Sequence, residues 1–428
     1  MRFNTLDEWL SWQESLHPSD IELGLTRVRE VWLQLKESGS VACPVITVAG
    51  TNGKGSCVAM LEAIYLAAGY RVGAYTSPHL IRYNERVRLN GNEVDDETLC
   101  QAFERVDQAR AAQDGAEISL TYFEFGTLAA LDIFARSPLD VVILEVGLGG
   151  RLDAVNILDA DVALITTIAL DHADWLGNDR EQIGREKAGI MRAARPVVCG
   201  DPDPPVTIAQ VAEESGARLY LNGRDFGAQP RDGQWRWRGR VEDKPRQRDA
   251  LPPPALRGDF QLYNAAAVLM VVELLAKALP ISQAQLREGL ANVAVPGRFQ
   301  VIGGDVPLVL DVAHNPEAAR ALAHNLRAWS MPGQTFGIVA MMADKDIVAV
   351  FEQLASEIDE WHVTTIDLPR AASPENLAER LKGGAQQHES VAAALTSVKA
   401  KARPNDRIVV FGSFYTVAEA MQAVYNGQ

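Results

Sequence analysis

The chain has 428 residues, 47% hydrophobic and 23% charged, ordinary proportions for a globular protein with room for two or three domains. Its 41 basic and 56 acidic residues leave a net charge of −15, which argues against non-specific nucleic-acid binding, because that rests on Lys and Arg neutralising phosphates. Cys43, Cys57, Cys100 and Cys199 are too far apart for a zinc knuckle or a CxxC site, and no apolar run reaches the roughly 18 residues of a membrane span. Met1–Ser19 carries Asp7, Glu8 and Glu14 and does not read as a signal peptide. Reduced thiols and a cytoplasmic location are expected, with no membrane or nucleic-acid partner.

The first apolar strand, Val45–Val48, runs into Gly50-Thr51-Asn52-Gly53-Lys54-Gly55-Ser56, followed by a segment of helical period, Cys57–Ala68. Glycines let the backbone wrap phosphate oxygens, and the amides of the helix start point positive partial charge at the anion. Lys54 adds a full charge and Ser56 a hydroxyl for phosphate or metal. The spacing differs from a standard Walker motif, since Gly55 separates Lys54 from Ser56.

Strand Arg71–Tyr75 then leads into Thr76-Ser77-Pro78-His79-Leu80, and helical periodicity marks Thr98–Ala112 and Phe123–Arg136. Strand Val141–Val146 ends on Glu145 just before Gly147-Leu148-Gly149-Gly150-Arg151, and Val162–Thr167 is followed by Asp171-His172. Oxygen ligands for Mg²⁺ belong at such C-terminal strand ends. Val197–Cys199 reads as a further strand. Asp225–Arg257 departs from the pattern: Trp235-Arg236-Trp237-Arg238 fits either base stacking or, better in so acidic a chain, an edge hairpin with Arg facing solvent. Pro252-Pro253-Pro254 reads as a stiff connection to a helix starting near Phe260.

Pro296 and Gly297 break the pattern after the helical segment Ser282–Leu290, so a domain boundary is expected near Ala294–Arg298, separating 1–295 from 296–428. Strands Leu308–Val312, Phe336–Ala340 and Arg407–Phe411 and the helix Ala318–Trp329 follow. Continuous apolar strands alternating with helices predict an α/β fold with mostly parallel sheets flanked by helices.

The segment GTNGKGS after its strand resembles the P-loop of the Mur ligase superfamily, in particular its folate branch. Ser77–Leu80, Glu145–Asp153, Asp171-His172 with Leu176-Gly177, and Glu186-Lys187-Ala188-Gly189-Ile190 are similar to signatures of the dihydrofolate synthase/folylpolyglutamate synthase family. The resemblance runs through most of the chain. It implies a P-loop domain with a smaller, Rossmann-like C-terminal domain that closes over the nucleotide. It further implies ATP-dependent ligation of L-glutamate to dihydropteroate, and of further glutamates to tetrahydrofolate, through an acyl phosphate, by a monomeric enzyme.

Carried over residue by residue, the resemblance assigns ATP binding to Asn52, Gly53, Lys54, Gly55 and Ser56, to Asn264 with Gln261 assisting, and to Arg298 and Asp311. It implies two Mg²⁺ ions and room for a monovalent cation such as K⁺. Ser77 and Glu145 would hold one Mg²⁺, with His172 and an N6-carboxylated Lys187 at the second. From the residues alone, Lys187 reads instead as an ordinary helix lysine paired with Glu186 or another acid. Lys54, Lys187 and His314 are the catalytic candidates, although His314 could instead cap the helix beginning at Asn315-Pro316. Lys345 in Asp344-Lys345-Asp346 resembles a position for the incoming glutamate or the phosphate. Ile21, Glu22, Leu23, Leu152 and the segment Thr121-Tyr122-Phe123-Glu124-Phe125 fall where the family contacts a pterin, though spacing alone favours Tyr122 and Phe125 as core residues of a helix start. Only 49 residues precede Gly50, too few for the UDP-binding domain of cell-wall ligases. Alternatives are a related ligase with another acceptor, a P-loop kinase, and a non-catalytic nucleotide-binding regulator.

Overall fold

Strand β1 (Val45–Ala49) is buried at all five positions, so it has to lie inside a sheet with both faces covered. The computed structural model, which describes residues 1–36, 40–111, 117–381 and 383–425, places it there. Ala112, the last residue of the expected segment Thr98–Ala112, lies outside the described residues, and the helix is Asp96–Arg110.

β1 joins β2 (Val72–Tyr75), β3 (Val87–Leu89), β4 (Asn92–Glu93), β5 (Val141–Glu145), β6 (Val162–Ile165), β7 (Pro196–Cys199) and β8 (Arg218–Leu221) in one sheet of order β4-β3-β2-β5-β1-β6-β7-β8. Six of these strands are parallel, and β3 and β4 add antiparallel pairs at one edge. The register sets the site. Val48 pairs with Glu145 and Tyr75 with Leu144, so the Gly50 loop, Glu145 and Ser77 all emerge from the same end of the sheet.

A second, antiparallel sheet of β9 (Phe226–Arg231), β10 (Gln234–Val241) and β11 (Lys244–Leu251) replaces the expected hairpin. The third strand reads Lys244-Pro245-Arg246-Gln247-Arg248-Asp249-Ala250-Leu251 and has almost no buried position, so it carries no hydrophobic alternation to reveal it. Trp237 is fully buried and its Nε1 donates to the Ala266 carbonyl at 2.9 Å, tying this sheet to the helix Phe260–Leu275.

A third sheet consists of β12 (Gln300–Ile302), β13 (Leu308–Asp311), β14 (Thr335–Val339), β15 (Glu360–Val363), β16 (Gln386–Gln387) and β17 (Arg407–Phe411), ordered β12-β13-β17-β14-β15-β16. Only β12 is antiparallel. Val409 and Phe411 point into one apolar cluster and Ile408 and Val410 into another, so helices cover both faces. The α/β class expected from the alternation is the observed one.

The chain divides into two compact units. The first comprises Met1–His79, Tyr83–Ala255 and Gln261–Val293, the second Leu80–Arg82, Leu256–Phe260 and Ala294–Gln428. A boundary drawn along the sequence at 295/296 does not register the two short excursions, because assignment to a unit follows spatial packing. No described helix is long and apolar enough to cross a membrane.

Candidate active site

The loop after β1 is shaped by backbone needs. Gly53 sits at φ +88° directly before the helix Lys54–Ala67, a left-handed conformation that glycine adopts without a Cβ penalty. The loop is pinned from β6: the Thr51 amide donates to the Thr167 carbonyl at 2.7 Å, and the Thr166 hydroxyl to the Asn52 carbonyl at 2.7 Å. Lys54 Nζ arches back to the Gly50 and Thr51 carbonyls at 3.0 and 3.2 Å, which holds its charge over the loop. Ser56 is buried, and its hydroxyl accepts from the Gln261 side chain at 3.2 Å. Asn264 donates in turn to Gln261 at 3.0 Å, so both residues of the helix Phe260–Leu275 named for the nucleotide lie against the loop.

Glu145 is 5% exposed at the end of β5. A Cβ built on Gly55 would stand 3.8 Å from its Oε2, and the Ser77 amide lies 3.4 Å from the same oxygen. One carboxylate, a serine and the start of the helix Lys54–Ala67 therefore converge. Among the described residues no group of three His, Cys, Asp or Glu side chains could hold a metal ion. That donor set does not suit zinc, which takes a near-complete protein cage. It fits Mg²⁺, which binds through one or two carboxylates and takes its remaining ligands from phosphates and water.

Behind this cluster lies Lys187, 3% exposed on the helix Arg180–Ala188. Burial, and then the nearby Lys54 charge, push its amine down to about 7, against the pull of Asp171 and Asp153. Asp153 is buried and accepts the Leu148 and Val155 amides at 2.8 and 3.0 Å, so it fixes the Gly147–Arg151 turn. Burial raises its carboxyl to about 6. His172, 45% exposed in its side chain, has a left-handed backbone (φ 51°) and begins the short helix Ala173–Leu176, and its amide donates to Asp171 at 2.9 Å.

On the proposed pterin side, Thr121 and Glu124 form a capping box at the start of the helix Tyr122–Arg136. Arg27 bridges Glu22 and Glu124, with 2.9 Å to the latter, and so joins the segments Ile21–Leu23 and Thr121–Glu124. Phe123 lies over Gly147, where a Cβ would come within 2.5 Å of its ring. Leu152 is partly buried beside Asp153. Phe125 is fully buried among Trp9, Trp12 and Phe103, so it belongs to the core.

In the second unit Asp311 ends β13 and accepts the Phe299 and Ala313 amides at 2.8 and 2.9 Å. Burial raises its carboxyl while the Arg298 charge opposes the rise. The Arg298 guanidinium lies 5.0 Å over the Phe414 ring. His314 Nδ1 is 2.9 Å from the Val312 carbonyl, whereas the cap of the helix Pro316–Ala328 is Asn315, so His314 does not cap it. Lys345 is partly buried in the turn before the helix Ile347–Leu354.

Three contributors escape a reading of the sequence. Arg27 and Thr166 act through partners about a hundred residues away. Arg86, 9% exposed, donates from Nε to His79 Nδ1 at 2.8 Å and lies between the Tyr83 and Tyr122 rings. Burial and this neighbouring charge hold His79 down to about 4. The only available signal was an arginine close after the Ser77–Leu80 motif.

Residues 48–272 match the Mur ligase middle domain and 297–414 the Mur ligase glutamate ligase domain. The dihydrofolate synthase/folylpolyglutamate synthase of Escherichia coli K12 is 45% identical over 425 residues, covering 98% of this chain and 95% of that protein. That of Haemophilus influenzae is 42% identical, covering 97% and 96%. Among solved structures, E. coli FolC in complex with DHPP and ADP superposes with a TM-score of 0.92 at 44% identity, covering 99% of this chain and 98% of that one. The Yersinia pestis folylpolyglutamate synthase/dihydrofolate synthase complexed with AMPPNP and Mn gives 0.90 at 47%, with coverage of 99% and 98%. The chain belongs to the dihydrofolate synthase/folylpolyglutamate synthase family of the Mur ligase superfamily, ATP-dependent enzymes that ligate glutamate.

Proposed function

We propose that this chain activates the carboxylate of dihydropteroate, and of tetrahydrofolate with its glutamyl chain, at the cluster of Lys54, Ser77 and Glu145. The convergence of the loop, Glu145 and Ser77 at one end of the sheet carries the reading. An acceptor oxygen attacks the γ-phosphorus of ATP, the bond to the β-phosphate oxygen breaks, and ADP leaves. The glutamate amine then attacks the acyl carbon, phosphate departs and the amine loses a proton. The relative with DHPP and ADP, and one with Mn, AMPPNP and L-glutamate, support these substrates.

Lys54 and the loop amides bind and orient the phosphates, since phosphoryl transfer depends chiefly on positioning and charge. Mg²⁺, held by Ser77 and Glu145, would supply charge neutralisation at the transferred phosphate. Lys187 is the proposed carbamate. Its buried amine is about half uncharged at neutral pH, the neutral form being the one that takes up CO₂, and with His172 the carbamate would hold a second Mg²⁺. Thr121–Glu124, Ile21–Leu23 and Leu152 are assigned to the pterin, with Arg27 fixing the first two segments together. In the second unit Arg298 and Asp311 are assigned to ATP, His314 to catalysis, and Lys345 to glutamate or phosphate. The four cysteines are free thiols, which supports a cytoplasmic location, and we assign a monomer.

The test is phosphate release and radiolabelled glutamate incorporation, with dihydropteroate and separately with tetrahydrofolate. Glutamate-dependent release with both acceptors is expected. Release without incorporation in either case would overturn the ligase reading.

A further inference from the structure

Strands β9–β11 hold a charge arrangement that the site above does not use. From Arg224 to Asp249 there are seven Arg and one Lys against five Asp or Glu, the reverse of the chain's 41 to 56. On β10 the two-residue alternation turns Trp235 and Trp237 inward, their Nε1 groups donating to the Pro252 and Ala266 carbonyls at 2.7 and 2.9 Å. Arg236, Arg238 and Arg240 alternate with them and face outward.

Of the nearby acids, Asp232, Glu242 and Asp243 lie in the two hairpin turns, and three others are ion-paired. Asp249 pairs with Arg236, Asp225 with Arg224, and Glu273 with Arg248. Among the described residues, the guanidinium groups of Arg238, Arg240 and Arg246 make no ion pair or hydrogen bond. All three border one open trough of about 620 Å³, Arg238 and Arg240 from the outward face and Arg246, whose ladder partner is Gly239, from the other. Its floor is bare because Arg238 pairs across the ladder with Gly227, which has no side chain to fill the space. On the other side Arg238 faces Gln247 and Arg240 faces Pro245, so the neighbouring strand offers no counter-charge.

Arg238 and Arg240 are two residues apart on one strand face, roughly 7 Å along it. Like charges so spaced repel one another, and a guanidinium is built to grip a carboxylate or phosphate through paired N–H donors. Spaced forks suit a chain of anionic groups better than a single ion.

We propose that this trough is a binding site for a small polyanion, a chain of carboxylates or phosphates gripped by Arg238 and Arg240. It is a local cationic concavity in an acidic protein, so the attraction is confined to this face and weakens with salt.

The full-length protein, its nucleotide site filled with a non-hydrolysable ATP analogue, is titrated calorimetrically at low salt. Inorganic triphosphate and a penta-γ-glutamate peptide are the two probes, and whichever binds identifies the source of the anion. At least one is expected to bind saturably, one per chain, with affinity falling at least tenfold in Arg238→Gln/Arg240→Gln. Because both side chains are exposed, that variant is expected to melt like the parent. The parent protein itself gives a second readout, loss of binding at high salt. No saturable binding of either probe, salt-independent binding, or less than a tenfold loss in a folded variant would overturn the proposal.

Discussion

Asn264 stands directly over Gly53: a Cβ on that glycine would lie 2.9 Å from the Asn264 Oδ1. The helix Phe260–Leu275 therefore closes down on the Gly50–Ser56 loop, which has no room for a side chain at position 53. Gly53→Ala adds this clash to the cost of a left-handed alanine, about 1 kcal/mol. We expect kcat/KM for ATP to fall at least tenfold. Trimming the neighbour in Gly53→Ala/Asn264→Ala is expected not to restore it fully, because the backbone cost remains. Steady-state kinetics of both variants are the check.

Glu145→Gln preserves shape and removes the carboxylate beside Ser77 and Gly55. The expected outcome is a Mg²⁺ requirement raised at least tenfold, beyond any change in thermal stability. Metal titration of the activity beside a melting curve separates the two effects. An unaltered metal dependence would remove Glu145 from the ion's coordination.

Asp153→Ala strands the Leu148 and Val155 amides in a buried turn. Each orphaned donor costs about 1–3 kcal/mol, so Tm should drop by several degrees. Asp153→Asn, which keeps one carbonyl acceptor, is expected to fall between. Differential scanning calorimetry gives the order directly.

With its amine pushed down to about 7, Lys187 is roughly half neutral at neutral pH, whereas an ordinary lysine is neutral only about once in several thousand. Protein equilibrated with ¹³CO₂ should show one carbamate carbon resonance that Lys187→Arg lacks. Activity should fall on CO₂ removal and return with bicarbonate.

Acid stability should respond to His362, which is fully buried. It meets His388 at 2.7 Å, Lys401 at 3.1 Å and Glu360 at 3.4 Å, and its ring lies near Phe336. Burial and then Lys401 lower its pKa from 6.5 to about 4. Between those values the unfolded chain binds the extra proton and the folded chain does not, so stability falls as pH drops from 6.5 toward 4. The loss is at most about 3 kcal/mol. Urea melts at pH 7 and pH 5 should show this slope, and His362→Gln should flatten it.

The site is legible in the sequence wherever a local pattern carries it. Buried parallel strands read as apolar runs, and their C-terminal ends mark where a loop, Glu145 or Asp311 must emerge. That logic placed the Gly50–Ser56 loop and Glu145 at the ends of buried strands without any structure. It could not show that Glu145 stands beside Gly55, that Arg27 joins Glu22 to Glu124, or that Asn264 covers Gly53. Those pairs are separated by 90 to more than 200 positions, and only the sheet register and packing bring them together. The same division explains Lys187 and β11. A lysine's charge state depends on what buries it, and a polar strand is recognisable only through the partner that supplies its hydrogen bonds. Chain-local periodicity determined the architecture and the residue types available for chemistry, while three-dimensional packing decided which of them meet, and in what charge state.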